Sequence, residues 1–421
     1  MRLTRSSALF VATVNLSSAC GAKTGLDTPD VPIDVTDAAR PVDPRTPPTQ
    51  RICVDRTPEG GLFRVALQTN PHVTTADVLF VMDRTGSMAE EIANIRDGLR
   101  TIIVPGLIRE IPDLHLGLVT YGEFPIYPFG EHADRPFALN RALGSQFTAL
   151  QDAIGNVTAL GGGDNAEALV EALYQSANGT GLAPFIPPSG GCPTIGIGYA
   201  CFRPDAQPII IVMTDAPMHN GPVTLPDNHP YDPAAFAPYA APHTYEQMLA
   251  VLNASLRPRV MGINSGLAPL SGRADLEQLS RDTQTLGSNG APLVFDIGPD
   301  GSGLSAQVVA AIGRLTAEVP LNVSAQAIDD GSGGAALVRA VVPLAASPMS
   351  QVDRIDTTTF YNTVPGTRLD FGLDLDPDLA APTALEQDFT VRIRFLDNGR
   401  ATLGAQDVTI VIPAQGAHCA E

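Results

Sequence analysis

Asp83 is followed at i+2 and i+4 by Thr85 and Ser87. A carboxylate and two hydroxyls at this spacing can aim three hard oxygens at one point, the donor type that Mg²⁺ favours, with Ca²⁺ or Mn²⁺ also admissible. Two more acidic stretches occur downstream. Gly161-Gly-Gly-Asp-Asn-Ala-Glu167 is a glycine-rich loop that supplies Asp164 and Glu167, and Ile209-Ile-Ile-Val-Met-Thr-Asp215 ends an apolar run on a carboxylate. Each stretch alone also reads as ordinary structure: a strand end and Gly turn at Asp83, a helix cap at Asp164, a turn residue at Asp215. If they meet, their unpaired carboxylates repel, and a bound cation reconciles them.

The flanking sequence says whether they meet. Val78 to Met82 runs straight into Asp83, as expected of a strand buried on both faces, and the run ending at Asp215 repeats that design. Helical stripes alternate with further strands. Ile92, Ile95, Leu99, Ile102 and Ile103 form one stripe, and a helix from about Asn165 carries Ala166, Leu169, Val170 and Leu173. Leu276 with Leu279, and then Leu304, Val308, Ile312 and Leu315, form two more, while Leu114 to Tyr121, Arg259 to Ile263 and Pro292 to Ile297 read as strands. This alternation predicts an α/β, doubly wound, Rossmann-like domain over residues 73–317, with a mostly parallel sheet and ligands at the carboxyl ends of its strands. Asp83 and Asp215 are therefore expected at one edge.

From residue 318 the pattern changes to period-two runs: Leu321 to Ala327, Leu337 to Val342, Phe389 to Phe395 and Val408 to Ile412. They predict an antiparallel β-sandwich, immunoglobulin-like in general shape, over 318–421. Residues 51–72 offer one more strand for it. The α/β domain then either interrupts the sandwich in sequence or simply precedes it.

Asp83-Arg-Thr-Gly-Ser87, the Gly-Gly-Gly-Asp164 loop and Thr214-Asp215, in that order, resemble the three loops of a von Willebrand factor type A (VWA) domain with its metal-ion-dependent adhesion site. The integrin β-subunit version is the most similar. Glu90 and Glu91 stand where it has two acidic residues, Asp164 and Glu167 match its Asp-x-Pro-Glu with Ala166 for Pro, and Met213 to Ala216 match Thr-Thr-Asp-Ala. The resemblance implies that Thr85, Ser87 and Glu167 coordinate the metal directly, with Asp83 and Asp215 direct or through water. It further implies a second cation at Glu90 and Glu91, with Glu123 and Asp164 marking another. The open metal position would take an Asp or Glu carboxylate of a partner protein. The segments Gly179 to Pro208 and Ala216 to Pro242 are long enough to set specificity.

Composition narrows the alternatives. The formal charge of −19 over 421 residues opposes binding to nucleic acid through a basic face. Lys23 is the only lysine, so the folded part holds neither a Walker-type phosphate loop nor a Schiff-base lysine. Asp330-Gly-Ser-Gly-Gly334 reads as a turn rather than a nucleophile loop, and His219, His229 and His243 lack the spacing of a zinc site, so they read as surface or turn histidines. No enzyme signature stands.

Arg2, Arg5, the apolar run Ala8 to Leu16 and the small residues before Cys20 resemble a bacterial lipoprotein signal, residues 1–20, with Cys20 lipidated. The Pro-, Asp- and Thr-rich residues 21–50 then read as a disordered tether, and Gly21 leans towards the outer membrane. Four cysteines remain. In an oxidising compartment they allow three pairings, of which Cys192–Cys201 with Cys53–Cys419 is expected on proximity. The expected function is a lipid-anchored, adhesion-type protein-binding module of the cell envelope. The alternative is an envelope scaffold or docking module whose metal is only structural.

Overall fold

The computed structural model describes residues 50–56, 61–269, 271–329 and 331–419. The expected signal, Cys20 and nearly all of the expected tether lie outside the described residues. Gln50, the last residue assigned to that tether, instead opens the first strand.

In chain order, β1 (Gln50–Cys53) and β2 (Phe63–Thr69) precede β3 (Thr75–Asp83). Then come α1 (Ala89–Gly98), α2 (Val104–Glu110), β4 (Asp113–Tyr121), β5 (Ala138–Gly144), α3 (Phe147–Gly155) and α4 (Leu169–Asn178). The α/β region closes with β6 (Gln207–Thr214), α5 (Tyr245–Val251), β7 (Arg259–Asn264), α6 (Arg273–Asp282), β8 (Val294–Asp296) and α7 (Leu304–Glu318).

These strands form one sheet in the order β5-β4-β3-β6-β7-β8, parallel except where β4 meets β5. Alternate residues of β3 serve two cores. Val78, Phe80 and Met82 join Ile92 and Ile95 of α1 and Ile312 of α7, whereas Leu79 and Val81 join Leu169 and Leu173 of α4 and Met248 of α5. A strand covered by helices on both sides has no polar face, which is why β3 and β6 are apolar runs rather than alternations.

Two helical expectations are corrected. Between α1 and α2, Leu99–Ile103 makes a π-helical turn, whose wider winding keeps Leu99 and Ile103 buried and turns Ile102 out to 48% exposure. The helix expected from Asn165 starts at Leu169, because Glu167 pairs as an isolated parallel bridge with Met218. The Glu167 N–H donates to Pro217 O at 3.0 Å, and Glu167 O accepts from His219 N at 2.9 Å. Backbone groups engaged in this way cannot close a helical turn.

The β region adds β9 (Leu321–Asp329), β10 (Val338–Ser347), β11 (Arg354–Ile355), β12 (Thr359–Thr363), β13 (Arg368–Leu375), β14 (Gln387–Asp397) and β15 (Ala401–Ile412). One sheet runs β1-β15-β14-β9-β12-β11 and a second β10-β13-β2. The sheets meet through Phe371 of the second, whose ring centroid lies 5.1 Å from Phe360 and 5.5 Å from Phe395 of the first. Strands from before and after the α/β region thus share both sheets. β2 pairs antiparallel with β13, and β1 pairs parallel with β15. Cys53–Cys419 and Cys192–Cys201 are both disulfides.

Candidate metal centre

The strand order places the reversal of winding between β3 and β6, and at such a switch point the flanking loops part and leave a crevice. Met82 pairs with Met213, so Asp83 and Thr214 end their strands side by side. Asp83 is fully buried. Its Oδ1 accepts from Thr85 N at 2.9 Å and Thr85 Oγ1 at 2.7 Å, and its Oδ2 accepts from Thr214 Oγ1 at 2.8 Å. Because Thr85 spends its proton on Asp83, its hydroxyl oxygen is left to act as an acceptor or ligand. Ser87 Oγ lies 3.4 Å from that hydroxyl.

The glycine loop brings Glu167 to the same place. Gly86 N donates to Gly161 O, and a side chain at Gly162 would sit 3.4 Å from Glu167 Oε1 and 3.6 Å from Thr85 Cβ. Glycine is required at 161, where φ is +87° and a Cβ would stand 1.6 Å from Asp134 Oδ1. Asp134 is a site residue that the sequence reading missed. Its buried carboxylate accepts from Gly162 N at 3.2 Å and Glu131 N at 2.7 Å, which fixes the loop from behind. An isolated Asp in a polar loop carries no periodicity that could have announced it.

Among the described residues no ion pair reaches Asp83, Glu167 or Asp215, and Arg84 stands on the Asp134 side only. Burial, and after it the neighbouring Asp215, raises the Asp83 carboxyl to about 7. Burial and then the charges of Asp83, Glu123, Asp134 and Asp164 raise Glu167 to about 11. Glu167 Oε2 and Asp215 Oδ1 are buried and have no hydrogen-bond partner. A buried carboxylate oxygen without a partner is costly, so both atoms suit a ligand that takes their lone pairs. The available donors are carboxylates and hydroxyls, which fit a hard divalent cation.

The other expected ligands divide differently. Glu90 is exposed on the first turn of α1, whereas Glu91 is buried beside Ser265 and Asp215. Glu123 joins neither of them, because the end of β4 directs it at the 216–242 loop. There Tyr231 Oη donates to both its oxygens at 2.6 and 2.8 Å, and burial pushes its carboxyl well up. Glu123 and Asp164, expected together, form with His219 a group whose ligand atoms lie within 4.8 Å of one another.

His219 is accordingly not a surface histidine. It is 4% exposed, stacks on Tyr231, donates from Nδ1 to His229 O at 2.7 Å, and turns Nε2 to Asp164 at 3.1 Å. His243 stacks on Tyr174 and meets Glu171 at 2.9 Å, and His229 is a loop residue with positive φ. Of the two long segments, 216–242 is hydrogen-bonded to the site, and 179–208 reaches it through Phe185, which packs edge-on against Phe124 and Tyr239. The Cys192–Cys201 loop lies elsewhere: it leads to Arg203, which is bonded to Asp77 near the start of β3.

No known family model and no curated protein matches the chain. Solved structures with similar architecture include a von Willebrand factor type A protein from Catenulispora acidiphila, with 14% identity, TM-score 0.36, and coverage of 86% of this chain and 74% of that one. Others are the pilus adhesin SpaC from Lactobacillus rhamnosus GG in its open conformation (13%, 0.33, 85% and 46%) and three N-terminal domains of the type V pili tip protein Mfa5 from Porphyromonas gingivalis (10%, 0.33, 85% and 75%). This chain thus spans less than half the length of SpaC.

Proposed function

We propose that the chain is an exported protein-binding module of the adhesion type, built on a VWA-like α/β domain, which engages a partner carboxylate through a divalent cation. The observation that carries this reading is the pair of partnerless buried oxygens, Glu167 Oε2 and Asp215 Oδ1, beside the hydroxyls of Thr85 and Ser87. Thr85, Ser87 and Glu167 would hold the cation, with Asp83 and Asp215 behind them. When bound, the cation supplies charge neutralisation and an open position for an Asp or Glu of the partner.

The chain's own residues do the positioning. Asp83 orients Thr85 through two hydrogen bonds, the bridge between Glu167 and Met218 locks the second loop to the third, and Asp134 holds the glycines. The 216–242 segment forms the wall on the Glu123 side. Both disulfides accord with export, and among the described residues no helix is long and apolar enough to cross a membrane. Attachment through a lipid on Cys20 at the outer membrane, and an immunoglobulin-like character for the β region, belong to the same proposal.

The test is thermal unfolding of the full chain in chelator, Mg²⁺, Ca²⁺ or Mn²⁺, beside Glu167→Ala. A cation at 100 times its Kd stabilises the native state by about 2.7 kcal/mol, seen as a rise of several degrees that the variant lacks. An unchanged melting point with every cation overturns the reading. A cation shift without any loss of partner binding in Thr85→Ala would make the metal structural and the protein a scaffold.

A further inference from the structure

The α/β and β regions meet where the β14–β15 turn packs on the segment before β7. Arg400 Nη1 donates to Ser255 O at 2.7 Å, and Thr402 N donates to Asp205 O at 2.8 Å. Two adjoining cavities of about 250 and 320 Å³ open at this junction and share Arg257 and Asn398. Arg400 lines the first and Arg259 the second.

The three guanidiniums are not equivalent. Arg259 is buried and spent: it donates to Gln284 O, Pro320 O and Asp397 Oδ2. Asp397 is spent as well, since its oxygens also accept from Asn322 N and Asn398 Nδ2. Asp282, the other carboxylate on the rim, accepts from Tyr245 Oη and Gln278 Nε2.

Arg400 keeps Nη2 buried without a partner. Arg257 makes no side-chain hydrogen bond or ion pair among the described residues, although its backbone is held left-handed, at φ 48° and ψ 55°, by its N–H to Leu252 O at 2.7 Å. Such a conformation is costly for a residue with a Cβ. Burial, and after it the Arg257 charge, lowers the Arg400 guanidinium from its usual value. Two like charges thus share one cavity wall whose carboxylate, Asp397, is already committed to Arg259, in a chain whose formal charge is −19.

We infer that this junction binds a compact oxyanion of the phosphate type, with Arg257 and the free Nη2 of Arg400 as its charge-assisted donors. A tetrahedral dianion presents acceptors to donors arriving from two sides, whereas a single carboxylate presents one planar edge. The site is separate from the cation centre, which occupies the other end of the strands.

Isothermal titration of the full chain with inorganic phosphate tests the inference. Chelator keeps the cation centre out of the measurement, and ionic strength is held constant so that screening of the acidic chain does not count as binding. One phosphate per chain is expected, weakened roughly tenfold or more in Arg257→Gln and in Arg400→Gln. Glu167→Ala should bind phosphate like the parent, which separates failure here from failure of the cation reading. No saturable binding, or binding unaffected by Arg257→Gln, overturns the site. Equal affinity for acetate overturns the phosphate assignment. Should Arg400→Gln fail to fold, Arg257→Gln decides, because that side chain is exposed and unpartnered.

Discussion

β3 carries a fully buried aspartate near each end, Asp77 at the start and Asp83 at the finish, with their environments reversed. Asp77 is answered within the chain. Arg203 gives it Nε at 2.7 Å and its backbone N–H at 2.5 Å, then reaches Asp113 at 2.9 Å. Asp83 has hydroxyls and an amide, and beyond them two more carboxylates, Asp215 and Glu167. One strand therefore shows both treatments of a buried charge: a counter-charge supplied by the fold, and a deficit left for a ligand. Burial alone does not distinguish a structural acid from a binding one; the partner list does.

Removing the counter-charge should have the largest effect. Arg203→Ala strands Asp77 and is expected to cost about 3–5 kcal/mol in urea unfolding. Asp83→Asn should act in the opposite direction: above pH 7 the cation-free chain is stabilised by about 2–4 kcal/mol while the cation-induced rise in Tm disappears. If Asp83→Asn were as damaging as Arg203→Ala, the two ends would not differ in kind.

Asp275 is an intermediate case. Its carboxylate accepts from Met218 N at 2.8 Å behind the third loop, and burial raises it from 3.8 to about 6. The folded chain retains a proton that the unfolded chain releases, so stability falls as pH rises from about 3.8 to about 6. Asp275→Asn keeps the acceptor and should flatten that slope, with a gain of about 2–3 kcal/mol above pH 6 seen in denaturant midpoints. Smallest of all, Ile102→Gln on the π-helical turn should change stability by no more than about 0.5 kcal/mol, since that side chain already faces solvent.

Much of the candidate metal centre was legible because its residues end apolar runs: Asp83 and Asp215 could be placed at one sheet edge from the sequence of β3 and β6. Glu167 could be assigned to the acidic loop but not read as a bridge residue, since its pairing with Met218 joins loops distant in sequence. Asp134, Tyr231 and the buried His219 were not legible, because their roles arise only when two polar loops fold back on the site. β5 was missed as a half-buried edge strand containing Asn140 and Arg141, whose alternation is weak. β13 is a different matter: Leu369, Phe371, Leu373 and Leu375 alternate cleanly and are all buried, so the signal was present and unread.

The bridge between Cys53 and Cys419 has a mechanical consequence. Tension applied between the segments before residue 53 and after residue 419 passes from one sulfur to the other and bypasses the 366 residues of sequence separation between them. The α/β sheet, strands β2 and β9 to β15, the candidate metal centre and the arginine junction all lie on that closed loop, outside the load path, whereas Gln50–Ile52 of β1 lie on it. A pull on the chain ends would peel Gln50–Ile52 of β1 from β15 and then stop at the covalent bond, leaving the loops around Asp83 in their folded arrangement.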